Sequence, residues 1–165
     1  MEAYKVHYHT KLVESFATYT GIEYPEESGK LSEADDRLEL ARREPHPAAF
    51  MGLSLLSSLG DSARSTRWDA ILVDAPLGCC HTGPGRYQSI YAAYELASSY
   101  ASDGEDVTHV FVDDYERPVE GLFSQVVFAE VPVKVIARPA TSKENSNLQA
   151  HFILSAANLQ KRVQS

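Results

Sequence analysis

The amino-acid sequence predicts an α/β fold in which a mostly parallel sheet ends in an antiparallel hairpin. In the second half of the chain, short apolar runs typical of strands alternate with amphipathic segments typical of helices. The apolar runs are continuous, for example AILV at residues 70–73, as in parallel strands that are buried on both faces. The last two runs follow one another with only a polar turn between them, which predicts the hairpin.

The first half of the chain shows fewer regular patterns. Residues 4–9 (YKVHYH) alternate enough to predict a strand. Residues 32–43 predict a helix, because a serine suits its N-cap and two arginines suit its last turn. The other predictions here are a short helix or irregular segment over 11–19, a loop over 21–30, a helical piece over 51–59 and a loop over 60–67.

The second half follows a regular order of elements. Ile90, Tyr91 and Tyr94 are spaced for one face of a helix. We expect residues 1–158 to form one domain and residues 159–165 to form a polar tail. The predicted elements are a strand over 70–73, a helix over 88–100, a turn over 102–106, strands over 107–112, 131–137 and 150–154, a helix over 118–128 and a polar turn over 140–147.

The composition limits the classes of partner. The 165 residues carry a formal net charge of −8, which argues against a nucleic acid or an anionic membrane surface, because no uncompensated basic surface is expected. One or two arginines still suffice for an anionic small ligand. No apolar run approaches the ~20 residues of a membrane span, and the N-terminus does not resemble a signal peptide. Cys79 and Cys80 are adjacent, and no disulfide framework or zinc spacing exists.

Acidic residues follow two of the predicted strands. Asp74 comes directly after residues 70–73, and Asp113 and Asp114 follow residues 107–112. Open α/β sheets bind ligands beyond the carboxyl ends of their strands, so these carboxylates are predicted to share one rim. The alternative is structural, because aspartate is also a common turn residue and helix cap. Such carboxylates also offer oxygen ligands to a divalent cation, although no dedicated spacing predicts a metal site.

Two stretches of the sequence resemble a known family. WDAILVDAPLG at residues 68–78, followed by PGR at 84–86, matches a strand-and-loop motif that leads into a helix. HVFVDDYERPVE at residues 109–120 matches H-V-F-V-H-D-V-x-R-x-V-E, and VHYHTK at 6–11 matches a V-x-Y-x-T segment. On these motifs the chain resembles the plant polysaccharide-biosynthesis family of glucuronoxylan 4-O-methyltransferases and irregular-xylem-15-like proteins.

The resemblance implies a fold and an activity. It implies the C-terminal part of a class I methyltransferase-like, Rossmann-like sheet, with S-adenosylmethionine as cofactor. The methyl acceptor would be the glucuronic acid of glucuronoxylan, and the location would be the Golgi. Asp74, Asp114 and Asp113 are then the candidates for catalysis, because methyl transfer to a hydroxyl needs a group that assists loss of its proton. Asp74 and Pro76 are the candidates for cofactor binding.

Three further residues are candidates for substrate binding. A guanidinium can hold a carboxylate with two hydrogen bonds, so Arg86 is the first candidate for the uronate carboxylate. Gly85 lies beside it, and Arg117 follows the acids of the second strand, Asp113 and Asp114. The alternative for both arginines is a structural ion pair, and Glu116 and Glu120 are close to Arg117 in the sequence.

The chain departs from the family pattern in two places. The family's glycine-rich loop and cofactor-holding acids lie upstream of the V-x-Y-x-T segment, where this chain has only MEAYK. We therefore expect a fragment, or a protein that lacks the cofactor half. The family's His-Asp pair is Asp113–Asp114 here, and an ordinary aspartate is a weaker base than histidine near neutral pH. A non-catalytic glycan-binding or scaffold protein is the alternative function.

Two further expectations concern self-association and an alternative reaction. A sheet that lacks its central strands exposes the edge of its first remaining strand, so we expect self-association through that edge. An unrelated hydrolase or phosphatase with Asp74 as its nucleophile ranks last among the functions, because no phosphate-binding lysine or glycine-rich helix start accompanies this residue.

Overall fold

The computed structural model describes residues 5–20, 24, 50–76, 82–99, 107–128, 132–137 and 148–155. The predicted domain boundaries stay predictions. Several predicted elements lie outside the described residues: the helix over 32–43, the turns over 102–106 and 140–147, the tail over 159–165 and, apart from residue 24, the loop over 21–30.

A four-stranded mixed sheet forms the centre of the described structure. Its strands are β1 (Ala70–Val73), β2 (Val107–Asp113), β3 (Lys134–Ala137) and β4 (Leu148–Ser155), in the spatial order β1-β2-β4-β3. β1 and β2 are parallel, and β4 is antiparallel to both β2 and β3. The α/β class and the terminal antiparallel hairpin are confirmed. The expected mostly parallel sheet is wrong for the described strands, because β4 enters between β2 and β3 and makes both of its pairings antiparallel.

Helices form close to the predicted bounds 88–100 and 118–128. The described helices are α1 (Leu12–Thr20), α2 (Asp61–Ser65), α3 (Tyr87–Ser98) and α4 (Ser124–Phe128). A π-helical turn, Val119–Phe123, leads into α4, and Pro118 immediately precedes it, where its missing N–H costs no hydrogen bond. α1 confirms the helical alternative for residues 11–19.

Residues 51–67 differ from the prediction. Instead of one helical piece, residues 51–59 form two short 3-10 turns. The Ser54 hydroxyl accepts a hydrogen bond from the Leu56 backbone N–H at 3.3 Å, which competes with continued helix formation. The loop predicted over 60–67 is wrong, because α2 forms there, with an ion pair between Asp61 and Arg64 on its surface. The two 3-10 turns are Met51–Leu53 and Leu56–Ser58.

The strand predicted over residues 4–9 is wrong for its described part, residues 5–9, which pairs with no strand of the described sheet. Its backbone hydrogen bonds go to a side chain and not to a neighbouring strand. The Gln88 amide oxygen, at the start of α3, accepts hydrogen bonds from the backbone N–H groups of His9 at 2.8 Å and Thr10 at 3.4 Å. The segment is therefore held against α3 as an irregular chain.

The hydrophobic core lies on one face of the sheet. Val110 of β2 and Phe152 of β4 are fully buried in one cluster with Ile90 of α3 and Phe128 of α4. The rings of Phe128 and Phe152 meet edge to face, with centroids 4.9 Å apart. Burial of each such side chain contributes about 1.5–3 kcal/mol to folding. This packing fixes the start of α3 against the strands, which places Arg86, the residue just before α3, near the strand ends.

The opposite face of the sheet is more open. It carries Leu72 of β1, which is 61% exposed, and the half-buried residues His109, Phe111 and His151. β1 is the outermost described strand on its side, so the expected self-association through this edge stays a prediction. Within the described ranges, no helix combines the length and apolar character that crossing a membrane requires.

Gly85 occupies a backbone position that suits no other residue well. Its φ is +66°, and a Cβ atom there would lie 2.9 Å from Tyr87 Cε2 and 3.1 Å from Leu12 Cδ1. We expect Gly85→Ala to lower the free energy of unfolding by about 1–3 kcal/mol, measured by urea unfolding. Gly52→Ala is the matched control, because no atom of the described residues beyond its chain neighbours lies within 4 Å of the position of its Cβ. Equal losses in the two variants would contradict this explanation.

Candidate functional site

The acids predicted to share one rim do meet there. Asp74 follows β1 directly, and Asp113 ends β2. β1 and β2 are parallel neighbours, with Val73 beside Val112, so the carboxyl ends of the two strands lie side by side. The Asp74 carboxylate and the backbone oxygen of Asp113 accept hydrogen bonds from the same guanidinium group, as the following contacts show.

Arg86 lies at the centre of this rim and is only 4% exposed. Its Nη2 donates to Asp114 Oδ2 at 2.8 Å and to Asp74 Oδ1 at 3.4 Å. Its Nη1 donates to the Asp113 backbone oxygen at 2.7 Å, and its Nε donates to the Pro76 backbone oxygen at 3.2 Å. Oxygen atoms from both strand ends therefore surround the guanidinium. Uronate binding by Arg86 stays a prediction, and its burial and contacts favour a positioning role.

Arg117 reaches the same rim from the turn after β2. Its Nη1 lies 2.8 Å from Asp114 Oδ2, and its backbone N–H donates to the Asp114 backbone oxygen at 2.9 Å. Asp114 adopts a φ of +55°, which turns the chain sharply enough for this contact. The Arg117 side chain is 34% exposed, so Arg117 is the more accessible of the two arginines.

Asp74 is the accessible carboxylate of the group, because its side chain is 54% exposed. Its partial burial raises the pKa of Asp74, and the Asp113 carboxylate raises it further through its charge and a side-chain hydrogen bond. Arg86 opposes this shift. Asp74 therefore holds a proton more readily than an ordinary surface aspartate, which is what a group that accepts a proton from a substrate needs.

For Glu120 the sequence predicts only a structural ion pair with Arg117. The residue is fully buried in the π-helical turn, and Oε1 lies 3.6 Å from Arg86 Nε. No hydrogen-bond donor among the described residues reaches either carboxylate oxygen. Burial raises the pKa of Glu120 to about 7, against the opposing charge of Arg86. In the sequence, the signal for a buried acid is that Glu120 stands alone inside the apolar run PVEGLF, and it is also the last residue of the family motif.

The other two predicted site residues contribute through the backbone. Pro76 offers its carbonyl oxygen to Arg86, and Gly85 allows the turn that places Arg86 before α3. Their predicted contacts with cofactor and substrate stay predictions.

A cleft of about 470 Å³ opens beside Asp74. It runs between β1 and α3, and its wall is mostly apolar, with Leu72 and Leu96 among the lining residues. Tyr8 and Ser89 add polar atoms, and their hydroxyl groups lie 3.2 Å apart. This volume is in the range of about 300–1,000 Å³ that is typical of ligand pockets. In the described ranges, no group of three or more His, Cys, Asp or Glu side chains is arranged to hold a metal ion.

Arg86→Gln tests whether the buried guanidinium holds the rim together. The change leaves the buried carboxylates of Asp114 and Glu120 without that cation, so we expect a loss of about 3–5 kcal/mol in the free energy of unfolding. Arg64→Gln is the control, because its ion pair with Asp61 is on the surface and should contribute about 1 kcal/mol or less. Urea unfolding at neutral pH measures both. A loss for Arg86→Gln no larger than that of the control would show that the rim does not depend on this contact.

Glu120 gives the protein a distinctive pH dependence. Its folded-state pKa of about 7 is above the ordinary 4.5, so the folded protein binds more protons between these pH values than the unfolded chain. Stability associated with this group is therefore complete below about pH 4.5 and is lost as the pH rises through 7. We expect Glu120→Gln to be more stable than the wild type at pH 8, by up to about 3 kcal/mol, and by only about 1 kcal/mol or less at pH 5.

The measurement is urea unfolding of both proteins from pH 5 to pH 8. Glu14→Gln, on the exposed side of α1, serves as the control and should follow the wild-type pH curve. A constant difference between Glu120→Gln and the wild type across this range would contradict the assignment.

Comparisons with known proteins support the resemblance. The chain matches a family model described as IRX15/IRX15L/GXM over residues 1–131. Glucuronoxylan 4-O-methyltransferase 1 of Arabidopsis thaliana is 32% identical over 130 residues, which are 76% of this chain and 42% of that protein. Protein IRREGULAR XYLEM 15 of the same plant is 37% identical over 99 residues, 60% of this chain and 28% of that protein.

A third relative differs in the glycan that its name gives. Arabinogalactan O-methyltransferase 2 of Arabidopsis thaliana is 40% identical over 75 residues, 46% of this chain and 25% of that protein. The chain thus spans between a quarter and about two fifths of the length of these relatives. None of the solved structures matches it. Because the family model covers most of the sequence, the chain belongs to the IRX15/IRX15L/GXM family, which includes the glucuronoxylan 4-O-methyltransferases and Protein IRREGULAR XYLEM 15.

Proposed function

We propose that this protein acts in polysaccharide biosynthesis as an S-adenosylmethionine-dependent O-methyltransferase, or as part of one, with glucuronic acid of glucuronoxylan as acceptor. The observation that carries the proposal is the accessible Asp74 carboxylate with a raised pKa, held at a strand end by Arg86 beside an open cleft. The family membership and the names of the relatives support the reaction class.

The fold proposed for the chain is the C-terminal part of a class I methyltransferase-like sheet. Two features support it: a parallel pair, β1 and β2, and a last strand inserted antiparallel beside β2. The proposal also includes a Golgi location and a glucuronic-acid-bearing glycan as partner, both of which rest on the family resemblance.

The cleft beside Asp74 fits the cofactor in volume and in chemistry. Its apolar wall suits the uncharged parts of a nucleoside-bearing ligand, and the Asp74 carboxylate at its rim suits a positive charge. When bound, S-adenosylmethionine supplies a methyl group on a positively charged sulfur. Tyr8, Ser89 and Asp74 are the polar residues of this chain that would hold it.

The chain's own residues can prepare the acceptor hydroxyl. Asp74 accepts the hydroxyl proton as the oxygen becomes methylated, and Asp113 shares a hydrogen bond with it that favours the protonated form. Arg86 holds Asp74 and Asp114 in place through its buried guanidinium. Arg117 is partly exposed beside Asp114, so its guanidinium is the better placed to bind the uronate carboxylate.

The test is transfer of a labelled methyl group from S-adenosylmethionine to glucuronoxylan. Asp74→Asn should lower kcat by about 10²–10⁴-fold, because it removes the proton acceptor. Asp61→Asn, an exposed aspartate of α2, should leave the rate unchanged. Arg117→Gln should mainly raise KM for the glycan. Undiminished transfer by Asp74→Asn would remove this residue from the mechanism.

A non-catalytic glycan-binding or scaffold role is the second candidate. Asp113 favours it, because this position holds histidine in the family motif that the sequence resembles, and an aspartate is the weaker base. Calorimetry separates the two. Glycan binding without binding of the cofactor, together with no methyl transfer to any uronic-acid glycan, would establish the second role and reject the first.

A further inference from the structure

Two histidines lie in contact on the open face of the sheet. His109 Nδ1 and His151 Nε2 are 2.8 Å apart, and the two ring centroids are 5.1 Å apart. His109 belongs to β2 and His151 to β4. They are diagonal neighbours across the antiparallel pair, since His151 is opposite Phe111 in the register. Neither residue belongs to the rim around Arg86.

This separation fits two ligands of one metal ion. Imidazole nitrogens lie about 2.0–2.1 Å from a bound transition metal. Two such nitrogens in adjacent positions of a square-planar or octahedral site, at an angle of about 90°, are therefore about 3 Å apart. A tetrahedral site places them farther apart. The two nitrogens are already 2.8 Å apart in their hydrogen bond, so the first geometry, which Ni²⁺ and Cu²⁺ favour over Zn²⁺, requires the smallest change in their separation.

We propose that His109 and His151 form a two-histidine site for a divalent transition metal of the Ni²⁺ or Cu²⁺ type, with water completing the coordination. In the metal-free protein one ring N–H lies between the two nitrogens. Binding requires both nitrogens as electron-pair donors. The ring that holds the shared proton therefore changes tautomer: this proton moves through water to the other nitrogen of the same ring, and both rings stay neutral. A small rotation of the rings then directs both electron pairs at one ion. The metal then links β2 to β4 across the sheet.

The surroundings of the pair favour a preorganised but accessible site. The Phe111 ring stacks on His151 at 4.6 Å with an interplanar angle of 12°, which limits the rotation of that imidazole. Both histidines are half-buried, so water and a cation reach them. Lys134 of β3 is opposite His151 in the register, and its positive charge opposes the binding of a cation.

The site is separate from the acidic rim. His109 precedes Asp113 by four residues along β2, which corresponds to about 13 Å. Metal binding at the histidines therefore does not depend on the proposed methyl transfer, and its failure would leave that proposal standing.

The first experiment is isothermal titration of the full chain with NiCl₂, with MgCl₂ as the control ion. We expect Ni²⁺ to bind with one ion per chain, and Mg²⁺, which prefers oxygen ligands, to show no binding at this site. The double variant His109→Gln/His151→Gln should bind Ni²⁺ at least about tenfold more weakly. His7→Gln, which removes an exposed histidine elsewhere, should bind like the wild type.

Lys134→Gln gives a change of the opposite sign. Removal of the neighbouring positive charge should tighten Ni²⁺ binding by about threefold, which loss of structure would not produce.

A second measurement needs no variant: in the wild-type protein, paramagnetic Ni²⁺ should broaden the imidazole NMR signals of His109 and His151 before that of His7. Equal affinities of the wild type and the double variant, or earlier broadening at His7, would overturn the proposal.

Discussion

The candidate site depends on one buried cation. Arg86 is enclosed where β1 ends, β2 ends and α3 begins, and it takes acceptors from each strand end, including backbone oxygens of Pro76 and Asp113. An enclosed guanidinium without such partners would cost several kcal/mol, so the three segments reach their lowest free energy only when they meet around it. The same contacts that complete the fold therefore set the position of the rim carboxylates.

Among the described residues, carboxylates outnumber cations around this rim. These acids differ in how far they are buried. Glu120 is enclosed, and no donor from the described segments reaches its carboxylate, so it lowers its energy by holding a proton and cannot meet a ligand in solution. Asp74 stands at the surface with a smaller bias toward its protonated form. The inner acid, Glu120, lies 3.6 Å from Arg86 Nε inside the protein, whereas the outer acid, Asp74, lines the cleft. A site that must accept a proton from a neutral hydroxyl benefits from this division, because the accessible carboxylate need not be fully stabilised as an anion.

Much of this arrangement was predictable from local patterns. The apolar run before Asp74 and the β-branched run before Asp113 identified two strands, and parallel neighbours bring their carboxyl ends together. The prediction that residues 70–73 are buried on both faces was wrong, because β1 lies at the edge of the described sheet and Val73 is its one buried residue. The helical spacing of residues 88–100 identified α3 for the same local reason. The burial of the Arg86 side chain was not predictable, because an arginine just before a helix can equally well lie on the surface. The strand predicted over residues 4–9 depended on their alternation, which is a local pattern. The Gln88 side-chain amide that binds this segment instead is 79 residues away from His9 in the sequence, so no local pattern could reveal it.

By itself, the sequence determined the α/β class, the terminal hairpin, the acids at the strand ends and the family, since each of these depends on periodicity, residue type or a contiguous motif. Only the tertiary structure decided the mixed strand order, the burial of Glu120 and the pairing of His109 with His151. These three features depend on register and packing between segments that are distant in the chain. The energy that selects them comes from long-range contacts and desolvation, which no local stretch of sequence contains.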